Sequence, residues 1–180
     1  EMAAIQDLHL MTTKKVLYVG NVAEEFVANP DESPFFRKLK EYAEKEKSGI
    51  VSICGKIEAE LVELEGDDKK EMLASLGLKE DGLSRLIREA YKLLGLRTYF
   101  TAGEQEVRAW TYHEGWKAPQ CAGVIHTDFE KGFIKAEVFH YDDLVKFGSE
   151  SEIKAKGLMR LEGKEYVVKD GDIMHFRFNV

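Results

Sequence analysis

The sequence predicts a two-part chain, an α/β segment built on parallel strands followed by a smaller α+β sheet domain. Three observations carry that reading. Residues 15–64 run strand, helix, strand, helix, the order of a parallel sheet with crossover helices. Residues 82–94 make one long amphipathic stripe closed by Gly95. Beyond Gly95 the chain turns to short strands separated by turns, with brief helices between them. At 180 residues it can hold one large domain or two small ones.

Residues 1–12 read as the end of a helix running into a loop. Lys15–Gly20 (KVLYVG) is a short apolar run with β-branched and aromatic residues, the pattern of a strand buried on both faces. Ser33 and Pro34 suit an N-cap and first turn, and a helix runs to about Lys47 with Phe36, Leu39, Lys40 and Ala43 at helical spacing. Ile50–Ile53 is a second buried strand. Lys56 opens another helix with Ile57, Leu61 and Leu64 on one face. The acidic run Glu63–Glu71 is a solvated helix face or loop. In Gly82–Leu94, the side chains Leu83, Leu86, Ile87, Ala90, Tyr91 and Leu94 form the stripe, and Gly95 suits the position just past a helix end. The domain boundary is placed there.

In the second part, Arg97–Thr101 and Glu106–Tyr112 form a hairpin about Gly103. Ala118–Ile125 is a short helix. Phe133–Tyr141 is a strand with Ile134, Ala136, Val138 and His140 on one face and Lys135, Glu137 and Phe139 on the other. Short helices follow over Asp142–Phe147 and Ser149–Lys156. A closing hairpin joins Tyr166–Val168 to Ile173–Phe178 about Asp170-Gly171-Asp172.

Hydrophobic residues at 44% and charged residues at 33% describe a folded domain, not a disordered tail. A net charge of −7 argues against coating nucleic acid, since phosphate neutralisation needs concentrated Lys and Arg. No apolar run approaches the roughly 20 residues that span a bilayer, and no basic n-region of a signal peptide opens the chain. Cys54 and Cys121 lie far apart and read as free cytosolic thiols. Glu1 in place of an initiating Met suggests a fragment.

Residues able to carry chemistry cluster at two strand ends. Ligands of parallel sheets sit beyond the carboxyl ends of the strands, where Asn21-Val22-Ala23-Glu24 follows the first strand and Cys54-Gly55-Lys56 the second. Two such ends are neighbours and can share one flat ligand, with a close backbone approach at Gly55. Taken alone, Asn and Glu there are also ordinary turn residues. Cys121, His126 and Asp128 lack the paired spacing of a metal site, and a hydrogen-bonded turn about His126 accounts for them better. Trp110 reads as core, and Trp116, beside Gly115 and Lys117, as the more exposed stacking candidate. No G-x-x-x-x-G-K-[ST] occurs, so the chain has no phosphate cradle of that kind.

Longer stretches are more informative. Tyr99–Trp110 (YFTAGEQEVRAW), Lys117–Gly132 (KAPQCAGVIHTDFEKG) and Glu162–Val180 (EGKEYVVKDGDIMHFRFNV) resemble the TGS domain that closes YchF/Obg-like ATPases, P-loop NTPases related to Obg. Upstream, residues 14–22 (KKVLYVGNV), 56–64 (KIEAELVEL) and 76–96 (LGLKEDGLSRLIREAYKLLGL) resemble the end of that family's nucleotide domain, in the same order. The resemblance implies that residues 1–95 are the C-terminal part of a P-loop nucleotide-binding domain, with 1–12 returning from a helical insertion. Residues 96–180 would then be a TGS domain, a ubiquitin-like β-grasp.

It further implies a cytoplasmic, ribosome-associated ATPase that prefers ATP to GTP and works with Mg²⁺. The P-loop, Mg²⁺ ligands and switch regions would lie upstream of Glu1, so no catalytic residue is assigned here. Asn21 to Glu24 matches the N-K-x-D of guanine-specific relatives. In them the Asp accepts from guanine N1–H and its 2-amino group, and the Lys stem covers the base. Here Glu24 stands for that Asp and Val22 for that Lys. Cys54, Gly55 and Lys56 match the loop in which a backbone N–H meets the purine. The chain departs from common family sequence at Tyr112–Trp116, where a basic residue is more usual. The alternative reading is a non-enzymatic TGS module that binds RNA or protein. Residues 97–180 hold 12 Lys plus Arg against 14 Asp plus Glu, a net of −2, so an RNA or ribosome contact needs a local patch. Arg108, Lys131, Lys135 and Arg160 are the candidates; three of them sit in or beside predicted strands, so one sheet face could gather them, the alternative being dispersed solvated charges.

Overall fold

The computed structural model describes residues 7–103 and 106–179. The chain divides into two compact units, Glu1–Leu94 and Gly95–Val180.

In the first unit, β1 (Leu17–Asn21) and β2 (Gly49–Ile53) pair in parallel, from Leu17 opposite Gly49 to Asn21 opposite Ile53. Parallel pairing demands a crossover, and α1 (Pro34–Lys45) supplies it. Ser33 caps α1, its Oγ accepting from Phe36 N–H at 3.4 Å, with Pro34 in the first turn. A Cβ on Gly20 would lie 2.5 Å from the Phe36 ring, so glycine here lets α1 lie directly on β1. α2 (Gly55–Val62) and α3 (Gly66–Ser75) bury Ile57, Leu61 and Leu73 with Val22, Val27, Phe36 and Cys54. The acidic run is solvated, and α3 forms within it. Glu58 of α2 accepts from the backbone N–H of Gly82 (2.7 Å) and Leu83 (3.2 Å), tying α2 to the start of α4 (Gly82–Leu94).

Two sequence expectations are revised in this unit. β1 is not buried on both faces: only Gly20 is buried and Val19 is 41% exposed. The stripe on α4 is only partly covered, for Leu86 and Ala90 are half-buried while Leu83, Ile87, Tyr91 and Leu94 are exposed. The cause is the same for both, since a sheet of two strands offers too little surface to cover a full helix face or to flank β1 on both sides. Of residues 1–12, 1–6 lie outside the described residues, and Met11–Thr13 form a 3₁₀ turn.

The second unit is a five-stranded sheet in the order β4-β3-β7-β5-β6. Its elements are β3 (Leu96–Ala102), β4 (Val107–His113), α5 (Ala118–Ile125), α6 (Thr127–Lys131), β5 (Phe133–His140), α7 (Tyr141–Phe147), α8 (Glu150–Ala155), β6 (Arg160–Glu162) and β7 (Asp172–Phe178). β3 and β7 are parallel, and the other pairs antiparallel. Tyr99, Tyr112, Ala136, Val138 and Met174 pack on Ala118, Cys121 and Ala122 of α5. The buried phenols are satisfied, Tyr99 donating to the Cys121 carbonyl (2.8 Å) and Tyr112 to the Val168 carbonyl (2.9 Å). On the opposite face Phe139 and Ile173 meet Ile153 of α8.

The closing hairpin does not form. Tyr166–Val168 makes one isolated bridge, Lys117 to Val167, while β7 enters the sheet between β3 and β5. Asp172 explains this: its fully buried carboxylate accepts from Lys169 N–H (2.8 Å) and the Tyr166 hydroxyl (2.7 Å), curling 166–172 into a loop. A bulge between Phe133 and Lys135 upsets the expected alternation of β5, so Phe133 is buried and Ile134 is 53% exposed. Phe139 is buried too, because α8 covers that face.

Candidate functional site

The ends of β1 and β2 stand side by side in register, and the two loops they release are cross-linked. Val22 N–H donates to the Ile53 carbonyl at 2.8 Å, carrying the ladder one step past the strands. Gly55 N–H, at the start of α2, donates to Asn21 Oδ1 at 3.0 Å. Glu24 opens a 3₁₀ turn, and its carboxylate pairs with the Lys56 ammonium, whose pKa it raises. The sequence thus brings Asn21, Val22, Glu24, Cys54, Gly55 and Lys56 to one place, and all but Gly55, which is tied in by its bond to Asn21, line an open groove.

The groove has an apolar floor and a polar rim. Val22 and Cys54 are buried in the core beneath and contribute only their edges. Asn21, Glu24 and Lys56 are exposed. With Oδ1 engaged by Gly55, Asn21 keeps both Nδ2 hydrogens without a partner among the described residues. Glycine is not sterically demanded at position 55, because an added Cβ would rest 3.7 Å from Asn21 Oδ1, an ordinary contact. The backbone N–H of the second loop is therefore already donated within the protein, a feature no spacing rule reveals. The groove can accept a flat, partly apolar ring whose edge meets an amide donor.

The other sequence candidates separate. Cys121 is fully buried and burial pushes its thiol up to about 12. His126 caps α6, Nδ1 accepting from Asp128 N–H at 3.2 Å. Among the described residues no three His, Cys, Asp or Glu side chains converge as a metal site would need. Trp110 donates from Nε1 to Thr101 Oγ1 (2.9 Å) beneath the Arg108 guanidinium, 4.1 Å from the ring centroid. Trp116 is half-buried on the same core, so it is no freer than Trp110.

The four basic candidates are not gathered on one sheet face. Arg108 lies on edge strand β4 and Arg160 on the opposite edge, β6, four strand spacings or about 19 Å apart. Alternation turns Lys135 to the face away from Ala136 and Val138, and Lys131 ends α6. Arg108 pairs with Glu106, and Arg160 with Glu162 and Asp172. The sheet order, invisible in the sequence, separates them.

Residues 96–179 match the family YchF-GTPase_C, described as a protein of unknown function (DUF933). The "Ribosome-binding ATPase YchF" of Bacillus subtilis is 55% identical over 176 residues, covering 98% of this chain and 48% of that protein. The chain belongs to the YchF family. The protein of the same name from Pasteurella multocida is 52% identical across 100% of the chain and 49% of its own length. The chain thus spans about half the length of the curated YchF relatives it matches. Among solved structures, the YchF GTPase of Schizosaccharomyces pombe superposes with a TM-score of 0.82 at 36% identity, covering 97% of this chain and 46% of that one. A GTP-binding protein from Pyrococcus horikoshii, at TM-score 0.60 and 18% identity over 91% of this chain and 45% of its own, shares the fold. Family and mixed α/β fold are therefore those the sequence resembles. No helix among the described residues is long and apolar enough to cross a membrane.

Proposed function

We propose that Glu1–Leu94 supplies the base-recognising end of a purine nucleotide site in a cytoplasmic, ribosome-associated ATPase, with ATP preferred to GTP. One observation carries the base preference: the Gly55 N–H is donated to Asn21 Oδ1. Guanine presents an acceptor, O6, next to N7, whereas adenine presents a donor, the 6-amino group. With Gly55 N–H taken, guanine O6 has no backbone donor here, and once Nδ2 donates to N7 it faces the Oδ1 lone pairs. Adenine can donate its amino group to Oδ1 and accept at N7 from Nδ2. Glu24 is drawn to Lys56 through Oε1, which leaves only Oε2 uncommitted for the pair of donors, N1–H and the 2-amino group, that guanine presents.

The described residues do not fit Mg²⁺, since no cluster of carboxylates converges here, and the sequence has no phosphate loop. Phosphate and Mg²⁺ binding are assigned to parts of the longer protein outside this chain, in line with relatives about twice its length. The uncovered stripe on α4 and the open flank of β1 support the same reading, as surfaces for the rest of a nucleotide domain.

Gly95–Val180 we read as a TGS domain of ubiquitin-like β-grasp form. The support is its arrangement: a hairpin, a helix across one face, and a last strand parallel to the first at the centre of the sheet. The names of the relatives carry the ribosome to this chain as a proposed partner. The test is equilibrium binding of ATP and GTP to the full-length protein. Tighter ATP binding is expected, and equal or tighter GTP binding overturns the base assignment.

A further inference from the structure

Glu58 is half-buried on α2, and its carboxylate is held by two backbone donors of another helix. Oε1 accepts from Gly82 N–H at 2.7 Å and Oε2 from Leu83 N–H at 3.2 Å. Asp81 Oδ1 takes the next amide, Ser84 N–H, at 2.7 Å, so the first three amides of α4 all have acceptors. Both carboxylates face the positive end of the α4 dipole. Asp81 caps α4 from the residue before it, whereas Glu58 reaches the same helix end from 24 residues upstream. Its bonds therefore fix α2 as well as α4.

The place of contact bears on the purine groove. Gly82 is buried, and a Cβ there would lie 2.6 Å from Glu58 Oε1 and 3.1 Å from Ile53 Cγ2. The start of α4 thus seats against the residue before the Cys54-Gly55-Lys56 loop and against the carboxylate two residues after it. α2 has only eight residues, and its N-cap, Cys54, gives no side-chain cap. A helix that short does not hold itself together by its own backbone bonds. Its first turn is kept in place by Ile57 in the core beneath, by the bond from Gly55 to Asn21 and by Glu58.

We propose that Glu58 is a positioning residue of the purine site: by gripping the start of α4 it fixes the first turn of α2, and with it the Gly55 N–H that Asn21 accepts. This rests on the proposed base recognition at Asn21 and adds the residue that keeps the deciding bond in place. Glu58 does not itself line the groove. A hydrogen bond weakens steeply as its angle falls, so a small tilt of α2 suffices to release Gly55 N–H. Once released, that N–H serves guanine O6, and the advantage of adenine shrinks. Capping of α4 alone predicts a lower unfolding temperature and an unchanged choice of base.

The experiment compares wild type with Glu58→Ala, Glu58→Gln and Glu58→Asp in the full-length protein, well below the unfolding midpoint of each. Two quantities are read, hydrogen exchange at the Gly55 amide and the ATP-to-GTP affinity ratio from competition binding. Glutamine keeps an oxygen for Gly82 N–H, and aspartate keeps the charge but is one methylene short. The alanine and aspartate variants should exchange Gly55 about tenfold faster and lose about fivefold in the affinity ratio, the net worth of one hydrogen bond. The glutamine variant should stay within about twofold of wild type in both. Unchanged exchange in the alanine variant overturns the positioning role and leaves the Asn21 reading intact. Faster exchange with an unchanged ratio overturns the part of Glu58 in base choice. Rescue by aspartate but not by glutamine assigns the effect to charge at the α4 dipole and overturns the bond. A wild type that binds GTP as tightly as ATP overturns the base assignment itself.

Discussion

Replacing Asn21 by Ala removes the acceptor of Gly55 N–H and the donor offered to a base in one step. The 3.0 Å bond joins two exposed residues, the last of β1 and the first of α2, so its net worth to folding is at the low end for a hydrogen bond, roughly 0.5–1 kcal/mol. The effect on base choice is larger because it acts on both purines in opposite senses. ATP loses its contacts at N7 and the 6-amino group. GTP loses only the N7 contact and finds the Gly55 N–H free to donate to O6. The difference is about one hydrogen bond on each side, roughly 2 kcal/mol, or about a 30-fold fall in the ATP-to-GTP affinity ratio. The assay is titration calorimetry or competition binding on the full-length protein. Asn21→Asp is the companion variant. It keeps an oxygen for Gly55 N–H and drops the Nδ2 donor, so both nucleotides should weaken together with little change in their ratio. If Asn21→Ala weakens both nucleotides equally, the amide does not select the base and the reasoning fails.

Three further outcomes are expected. The 180-residue chain alone should hydrolyse neither ATP nor GTP, because phosphoryl transfer needs a phosphate cradle and a positioned water that its sequence does not supply; Mg²⁺-dependent phosphate release above a blank would contradict this. Asp81, held by Lys69 at 2.8 Å and by Ser84 N–H at 2.7 Å, has its pKa lowered to about 2. Its contribution is fully present above about pH 4 and is lost as pH falls toward 2. Asp81→Asn should therefore cost about 1 kcal/mol at pH 7 and flatten the acid limb of a stability profile, while an unchanged limb would rule the carboxylate out. Cys54 and Cys121 are buried, and the Cys121 thiol is pushed up to about 12, so iodoacetamide at pH 8 should label neither until the chain unfolds; labelling of the native fold at the rate of a free thiol would show the core to be open.

Much of the secondary structure was legible because it depends on neighbours in sequence. Ser33-Pro34 marks the start of α1, the 3.6-residue stripe marks α4, and Ala118–Ile125 forms the helix its pattern predicts. The parallel pair β1–β2 follows from strand, helix, strand order, and that order alone brings Asn21 beside Gly55. The YchF family was likewise written in long stretches of sequence.

Tertiary structure decided whatever depends on partners far along the chain. β7 pairs with β5 and β3, not with Tyr166–Val168, because a buried Asp172 finds its donors locally and turns that segment into a loop. β6, only three residues long, is a strand by virtue of its pairing with β5, and too short to show a period. Ile134 faces solvent because of a bulge, which depends on the register with β7. Arg108 and Arg160 lie apart, and Glu58 meets the start of α4, for one reason: sheet order and helix docking set distances between residues that spacing in sequence does not. The same holds at the candidate site. Residue types at two strand ends suggested a flat ligand, but only the fold commits Gly55 N–H to Asn21, and on that bond the proposed choice between adenine and guanine turns.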